Sequence, residues 1–319
     1  MKTTNYLFVA FGAAALTLTA CNNDDDVLNG GQEPGVVNIV TSINGPQTRV
    51  VMNEDGSGNF EDSKDKLKLA IYGGETDPMR TSYTVGNPSL YWADVVATAG
   101  QADSYTFAAW YNGDDALDLV ANPSFNVAEA TNKDLLLATP ATVSVEQTVT
   151  LNFSHAMHKL VVNLSYGDGF DDLDKTQVKV TPVNMNAAAT IDVKEGTVTA
   201  GEASASDGTY PTVTMGSATS CSFILAPQKL TTGAEWLEIN LGGQTLTFNV
   251  PANYTTSGSS TEALSQLNSG EVLTLNLTIK KVAGGGDDEK TEVVLTTGQI
   301  TAWNSQGTVN GEVQVNGNN

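Results

Sequence analysis

The sequence predicts an all-β protein of the β-sandwich type. Apolar and polar residues alternate with a period of two in many short stretches, as in Leu273, Leu275, Leu277 and Ile279. Each stretch is closed by Gly, Pro, Asn or Asp, the residues that punctuate turns. The composition agrees: charged residues are only 16% and the chain holds 30 glycines, so the straight-chain charged residues that favour long helices are scarce. Strands and helices do not alternate as in a parallel βαβ sheet, and no repeat period is visible. Many short strands of this kind pack as sandwiches. At roughly 150 residues per domain, the 319-residue chain is expected to hold two, at 36–150 and 151–319.

Before them comes a leader. Tyr6 to Ala20 is almost wholly apolar, with Lys2 the one positive charge ahead of it. The run is shorter than the ~20 residues that span a bilayer and has the form of a secretory signal, residues 1–20. Its end, Leu18-Thr19-Ala20-Cys21, resembles a bacterial lipobox, in which the peptide is cut before a cysteine that carries lipid. Cys21 would then anchor the chain in the outer membrane. Asp24-Asp25-Asp26 resembles the acidic signal that places some Gram-negative lipoproteins on the cell surface. Residues 21–35 are polar and end in Pro34-Gly35; as a coil they reach roughly 20 Å.

Val37, Ile39, Thr41 and Ile43 form one face of the first expected strand, which Asn44-Gly45-Pro46 ends. Leu67, Leu69 and Ile71 alternate with Lys66, Lys68 and Ala70, a strand with one wet face. Tyr91-Trp92 is a further strand candidate, and Ser104 to Tyr111 reads as a strand covered on both faces. Leu135 to Leu137 and Val143 to Val145 continue the pattern. Val149, Leu151, Phe153, His155 and Met157 then share a face, and Leu160, Val162, Leu164 and Tyr166 share one in the opposite phase. The slip near His158-Lys159 marks a bulge or a crossing between domains. Short strands follow at Gln177–Val183, Ala189–Val193, Thr212–Met215, Ser222–Leu225, Leu237–Leu241 and Thr245–Val250. Thr261 to Leu267 is expected to form one or two helical turns. Val272 to Ile279 is a strand, and Glu292–Leu295, Ile300–Trp303 and Thr308–Val315 close the chain.

The net charge is −21, which disfavours nucleic acid, whose phosphates need a basic surface. With Cys21 acylated, Cys221 is left without a partner and is expected to be a buried thiol. The two histidines, His155 and His158, lack the further ligands a zinc site needs. Ser154 and His155 are strand neighbours and point apart. Asp168, Asp171, Asp172 and Asp174 form an acidic stretch without EF-hand spacing, read as a solvated turn, as are Asp287-Asp288-Glu289 and Asp114-Asp115. No catalytic residue, cofactor or metal is expected. A rival reading, a surface glycan-binding lipoprotein, requires Trp92 or Trp110 to be more than half exposed. A hydrolase would require two carboxylates at catalytic separation in a concave site. Arg49 is notable because the only other arginine is Arg80: an arginine-specific protease cutting between Arg49 and Val50 would free the first strand.

Several segments together resemble the fimbrillin family, the subunits of type V pili. They are the lipobox, Thr48-Arg49 before a Gly-rich turn and Phe60, Leu151 to Leu160, Leu225-Ala226-Pro227-Gln228, Ser269-Gly270-Glu271 and Ile300-Thr301-Ala302-Trp303. The resemblance implies two transthyretin-like sandwiches in series and export as a surface lipoprotein. It implies that the strand of Val37, Ile39, Thr41 and Ile43 is displaceable after a cut at Arg49, and that a strand of another pilus subunit takes its place. The candidate donor strand is Thr308 to Val315, with Val309, Val313 and Val315 on one face. Asn310-Gly311 also reads as a hairpin turn, which leaves open a stalk, tip or anchor role, or that of a plain surface lipoprotein. A host or bacterial surface ligand is a further candidate partner.

Overall fold

The computed structural model describes residues 35–43, 60–87, 89–130, 134–167, 170, 175–199, 210–255, 261–283, 289–295 and 304–308. Contacts gather Pro34–Asn319 into one unit. The chain begins with β1 (Ile39–Ile43), β2 (Lys66–Tyr72) and β3 (Met79–Thr84). Helix α1 (Trp92–Ala99) is followed by β4 (Tyr105–Tyr111), β5 (Ser124–Asn126), β6 (Leu136–Thr139), β7 (Ala141–Val143) and β8 (Val149–His155). Seven of these strands form one sheet in the order β1-β8-β6-β4-β2-β3, with β7 also on β4.

Both faces of this sheet are covered. Leu67, Leu69 and Ile71 of β2, Phe107 of β4 and Val149, Leu151 and Phe153 of β8 form a first core with Phe60, Leu90 and α1. The opposite face gives Ala70, Ala108, Trp110 and Leu137 to a second core. The wet face expected of β2 is therefore wet only at Lys66 and Lys68 and closes at Ala70, which is fully buried.

Helix α1 corrects the expectation of a strand at Tyr91-Trp92. Trp92, Val95 and Ala99 are its buried residues, spaced along a single helical stripe, and the Trp92 ring meets Phe107 edge-on at 5.8 Å. Gly100 follows at φ +80°, a conformation that a side chain would strain.

At Ala156–Met157 the chain leaves the first sheet, and β9 (His158–Tyr166) opens another. The slip of phase is thus a crossing between sheets. A 3-10 turn (Lys175–Gln177) leads to β10 (Val178–Pro182), β11 (Ala188–Asp192), β12 (Thr197–Thr199), β13 (Val213–Thr214) and β14 (Ser220–Leu225). Then come β15 (Gln228–Lys229), β16 (Glu235–Leu241), β17 (Thr245–Asn249), β18 (Asn253–Thr255), β19 (Thr261–Ala263) and β20 (Gln266–Leu267). The last are β21 (Glu271–Ala283), β22 (Glu289–Leu295) and β23 (Asn304–Thr308).

One sheet runs β14-β9-β21-β23-β18-β19, with β22 beside β21, and a second runs β13-β10-β16-β17. Their inward residues, among them Leu160, Val162, Leu273, Leu275, Val180, Ile239 and Phe248, share the second core. This pairing of two sheets over one core is the expected sandwich. The core is also continuous with the first sheet, because β5 pairs with β11 and Phe125 and Val127 lie in it. The helical turns expected at Thr261 to Leu267 are instead β19 and β20, paired with β18 and β15. So short a helix would leave most of its backbone groups unpaired, whereas neighbouring strand edges satisfy them.

Candidate functional site

The feature that the sequence singles out for displacement is an edge strand. Among the described residues β1 pairs with β8 alone, in parallel, through Ile39 to Ile43 against Val149 to Phe153. Among the described residues no strand covers its other edge. Just upstream, the Val37 N–H donates to the Leu90 carbonyl at 2.8 Å and the Trp92 N–H to the Gly35 carbonyl at 2.6 Å. Val36 forms an antiparallel bridge with Tyr91.

The alternation in the sequence is reproduced as burial. Val37 is fully buried and Ile39 is 9% exposed, Thr41 and Ile43 are half-buried, and Val40 faces outward at 48%. Val37 and Ile39 belong to the first core with Phe60, Leu90, Trp92 and Phe153. On the outer face two side-chain rungs cross the pair: Asn38 Nδ2 to Thr148 Oγ1 at 3.1 Å and Ser42 Oγ to Asn152 Oδ1 at 2.6 Å.

The energies nearly cancel. Burying Val37 and Ile39 contributes roughly 5 kcal/mol, and each ladder hydrogen bond adds about 1 kcal/mol. Fixing residues 35–43 costs on the order of 10 kcal/mol of conformational entropy. β1 is thus held with little local surplus. Without it, β8 would present an unpaired edge from Val149 to Phe153 beside empty apolar pockets, the kind of groove a strand fills.

Cys21, Arg49, Val50, Val309, Val313 and Val315 lie outside the described residues, as do Asp168, Asp171, Asp172, Asp174, Asp287, Asp288 and Trp303. Of the candidate donor strand, only Thr308 is described. It ends β23, which runs parallel to β21 and meets β18 at Thr255. Arg80 lies within β3, is paired with Ala70 of β2 and donates from Nη1 to Asp118 Oδ2 at 3.0 Å.

The two histidines end on different strands. The His155 Nδ1–H donates to Asp134 Oδ1 at 2.8 Å. That partner was not visible in the sequence, because it is brought in by the pairing of β6 with β8. His158 is fully buried and its Nδ1–H donates to the Asn268 carbonyl at 3.0 Å. Burial pushes its pKa down to about 4, so the ring is neutral. No group of three His, Cys, Asp or Glu able to hold a metal occurs among the described residues.

Cys221 is a buried free thiol, opposite Val162 on the β14–β9 pair, and burial pushes its pKa up to about 12. Trp92 and Trp110 are 3% and 2% exposed, so neither offers the stacking face that the glycan-binding reading requires. A shallow cleft of about 270 Å³ lies beside Lys68, Arg80, Trp110, Asp115 and Asp118. Its cations already face carboxylates: Arg80 faces Asp118, and Lys68 faces Asp115 at 3.9 Å.

A family model described as fimbrillin-like matches residues 45–303. No curated protein matches the chain. Among solved structures, similarity extends to a candidate cell adhesion protein from Bacteroides ovatus, 16% identical, covering 82% of this chain and 96% of that one with a TM-score of 0.47. It extends to a fimbrial assembly protein from Parabacteroides distasonis, at 13% identity, 72% and 87% coverage and a TM-score of 0.36. A fimbrilin from Porphyromonas gingivalis is 9% identical, with 87% and 99% coverage and a TM-score of 0.41.

Proposed function

The chain belongs to the fimbrillin-like family, and from that premise we propose that it is a structural subunit or adhesin-like component of a cell-surface pilus, without catalytic activity. In this reading residues 1–20 are removed, Cys21 carries the lipid that anchors the chain in the outer membrane, and residues 21–35 are the tether. Residues 36–150 and 151–319 are its two modules, and other pilus subunits are its partners. Cleavage between Arg49 and Val50 frees β1, and a strand from another subunit takes its place against β8.

The observation that carries the reading is the position of β1. It is an edge strand bound through one neighbour whose inward side chains nevertheless plug a core. Its loss leaves a groove with both unpaired backbone and apolar pockets, which a strand of similar alternation satisfies. Arg80 supports Arg49 as the cleavage point, since a protease needs extended unpaired chain and Arg80 is paired with Ala70 in the β2–β3 ladder and tied to Asp118.

Limited digestion with an arginine-specific protease tests the proposal. The expected result is a single early cut after Arg49, followed by SDS-resistant ladders. A cut chain that stays monomeric at high concentration overturns polymerisation by strand exchange.

A further inference from the structure

Three strand pairings in the described residues are parallel: β1 with β8, β9 with β21, and β21 with β23. All the others are antiparallel. The parallel ones also follow one route through the molecule. That route enters at β1, leaves the first sheet at the end of β8, re-enters at β9 and reaches β23. Sequence neighbours joined by tight turns must pair antiparallel, so each parallel pair joins segments far apart in the chain.

We propose that β1 and β8 form a shear joint that carries tension along the molecule. The proposal rests on the reading of the chain as a surface subunit tethered at its N-terminal side, and concerns the chain before any cut at Arg49. In the register, Ile39 stands opposite Val149, and β8 continues six residues further, to His155. A force that enters at the start of β1 and leaves at the end of β8 therefore acts over about 20 Å along the strands and about 5 Å across them. Its line lies within about 15° of the strand direction.

The second sheet begins where β8 ends. Ser269 Oγ donates to the Ala156 carbonyl at 2.8 Å, and the Gly270 N–H donates to the Met157 carbonyl at 3.0 Å. The load path toward β23 thus passes through the end of β8. Loaded this way, the ladder from Ile39 to Ile43 and the rungs Asn38–Thr148 and Ser42–Asn152 resist together. Loaded across the strands, they would open one at a time. A small local surplus of free energy is then compatible with a large resistance to force, because forced release is governed by the unfolding barrier rather than by equilibrium stability.

The second parallel set is loaded more obliquely. Thr308 stands beside Thr274, which stands beside Val161. From His158 the line to Thr308 therefore runs about 10 Å along the strands and about 10 Å across them. The β1–β8 joint is the stronger of the two.

Single-molecule force spectroscopy on residues 34–319 tests this. One handle is joined ahead of Pro34. The other is placed at the C-terminus in one protein and at Val145→Cys in a second. Val145 is exposed in the turn before β8, so this arrangement pulls across the strands. Extraction of β1 frees the chain as far as Phe60, which stays in the first core, and is recognised by a gain of about 80 Å in contour length. The expected result is a several-fold higher force for that event with the C-terminal handle than with the Val145 handle. The Asn38→Ala, Ser42→Ala double variant is expected to lower the C-terminal value more than the Val145 value. Equal forces in the two geometries overturn the proposal, as does an unchanged C-terminal value in the double variant. Neither readout depends on cleavage at Arg49 or on assembly, so failure here is distinguishable from failure of the pilus reading.

Discussion

β1 and β21 are both alternating strands that pair in parallel with a distant partner, yet they differ in how many of their edges are bordered. β21 is bordered by β9 on one side and by β23 and β22 on the other. Its Leu273, Leu275, Leu277 and Ile279 are at most 1% exposed. Among the described residues β1 has one neighbour, and its inward set grades from the fully buried Val37 to the half-buried Ile43. The same strand physics therefore gives an integral beam in one place and, on the proposed reading, a removable plug in the other. What separates them is the number of bordered edges and the depth of the side chains, since their sequence pattern is alike.

The comparison breaks most easily at β21. Leu275→Ala is expected to cost about 3–4 kcal/mol, seen as a lowered denaturation midpoint for the whole described unit. If only a local segment loosens, β21 is not integral.

A pH titration of stability comes next. His158 lies at the start of β9, beside β21 in the sheet. It takes up a proton near pH 6.5 when unfolded but only near pH 4 when folded. Between those values the unfolded chain binds more protons, so stability falls as pH drops from 6.5 toward 4 and is unaffected by this group above 6.5. The full loss is on the order of 3 kcal/mol. Denaturant unfolding at several pH values should show it, and His158→Gln should flatten the slope relative to the native chain across that window. Parallel slopes for the two proteins would mean that the ring is hydrated in the folded state.

Smaller again is Ile39→Ala in β1, expected to cost about 2 kcal/mol and to act locally. Hydrogen exchange should quicken at the β8 amides from Val149 to Phe153 while β9 and β21 stay protected. Uniform quickening in both sheets would erase the contrast between plug and beam.

Much of this was legible in the sequence. The inward residues of β1, β8, β9 and β21 follow from period-two alternation alone, because each strand has a core on one face. The burial of Cys221 followed from its place within Cys221-Ser222-Phe223-Ile224-Leu225. Helix α1 was not recognised: the helical spacing of Trp92, Val95 and Ala99 spans only two turns and sits among the β-favouring residues Tyr91, Trp92, Val95 and Val96. Nor were β19 and β20, whose backbone groups are satisfied by β18 and β15 from elsewhere in the chain. The parallel direction of β1 against β8 and the Asp134–His155 contact are long-range facts that no local pattern encodes. Of the candidate site, the sequence identified the strand and its face, while the structure supplied the edge position that makes displacement plausible.

The most direct measurement follows strand replacement itself. The chain is cut between Arg49 and Val50 and mixed with a labelled peptide of residues 36–43, while hydrogen exchange of β8 is recorded. The account predicts that the peptide enters, that resident β1 leaves, and that Val149 to Phe153 lose protection without peptide and regain it with peptide. No incorporation, with β8 fully protected after the cut, would contradict it.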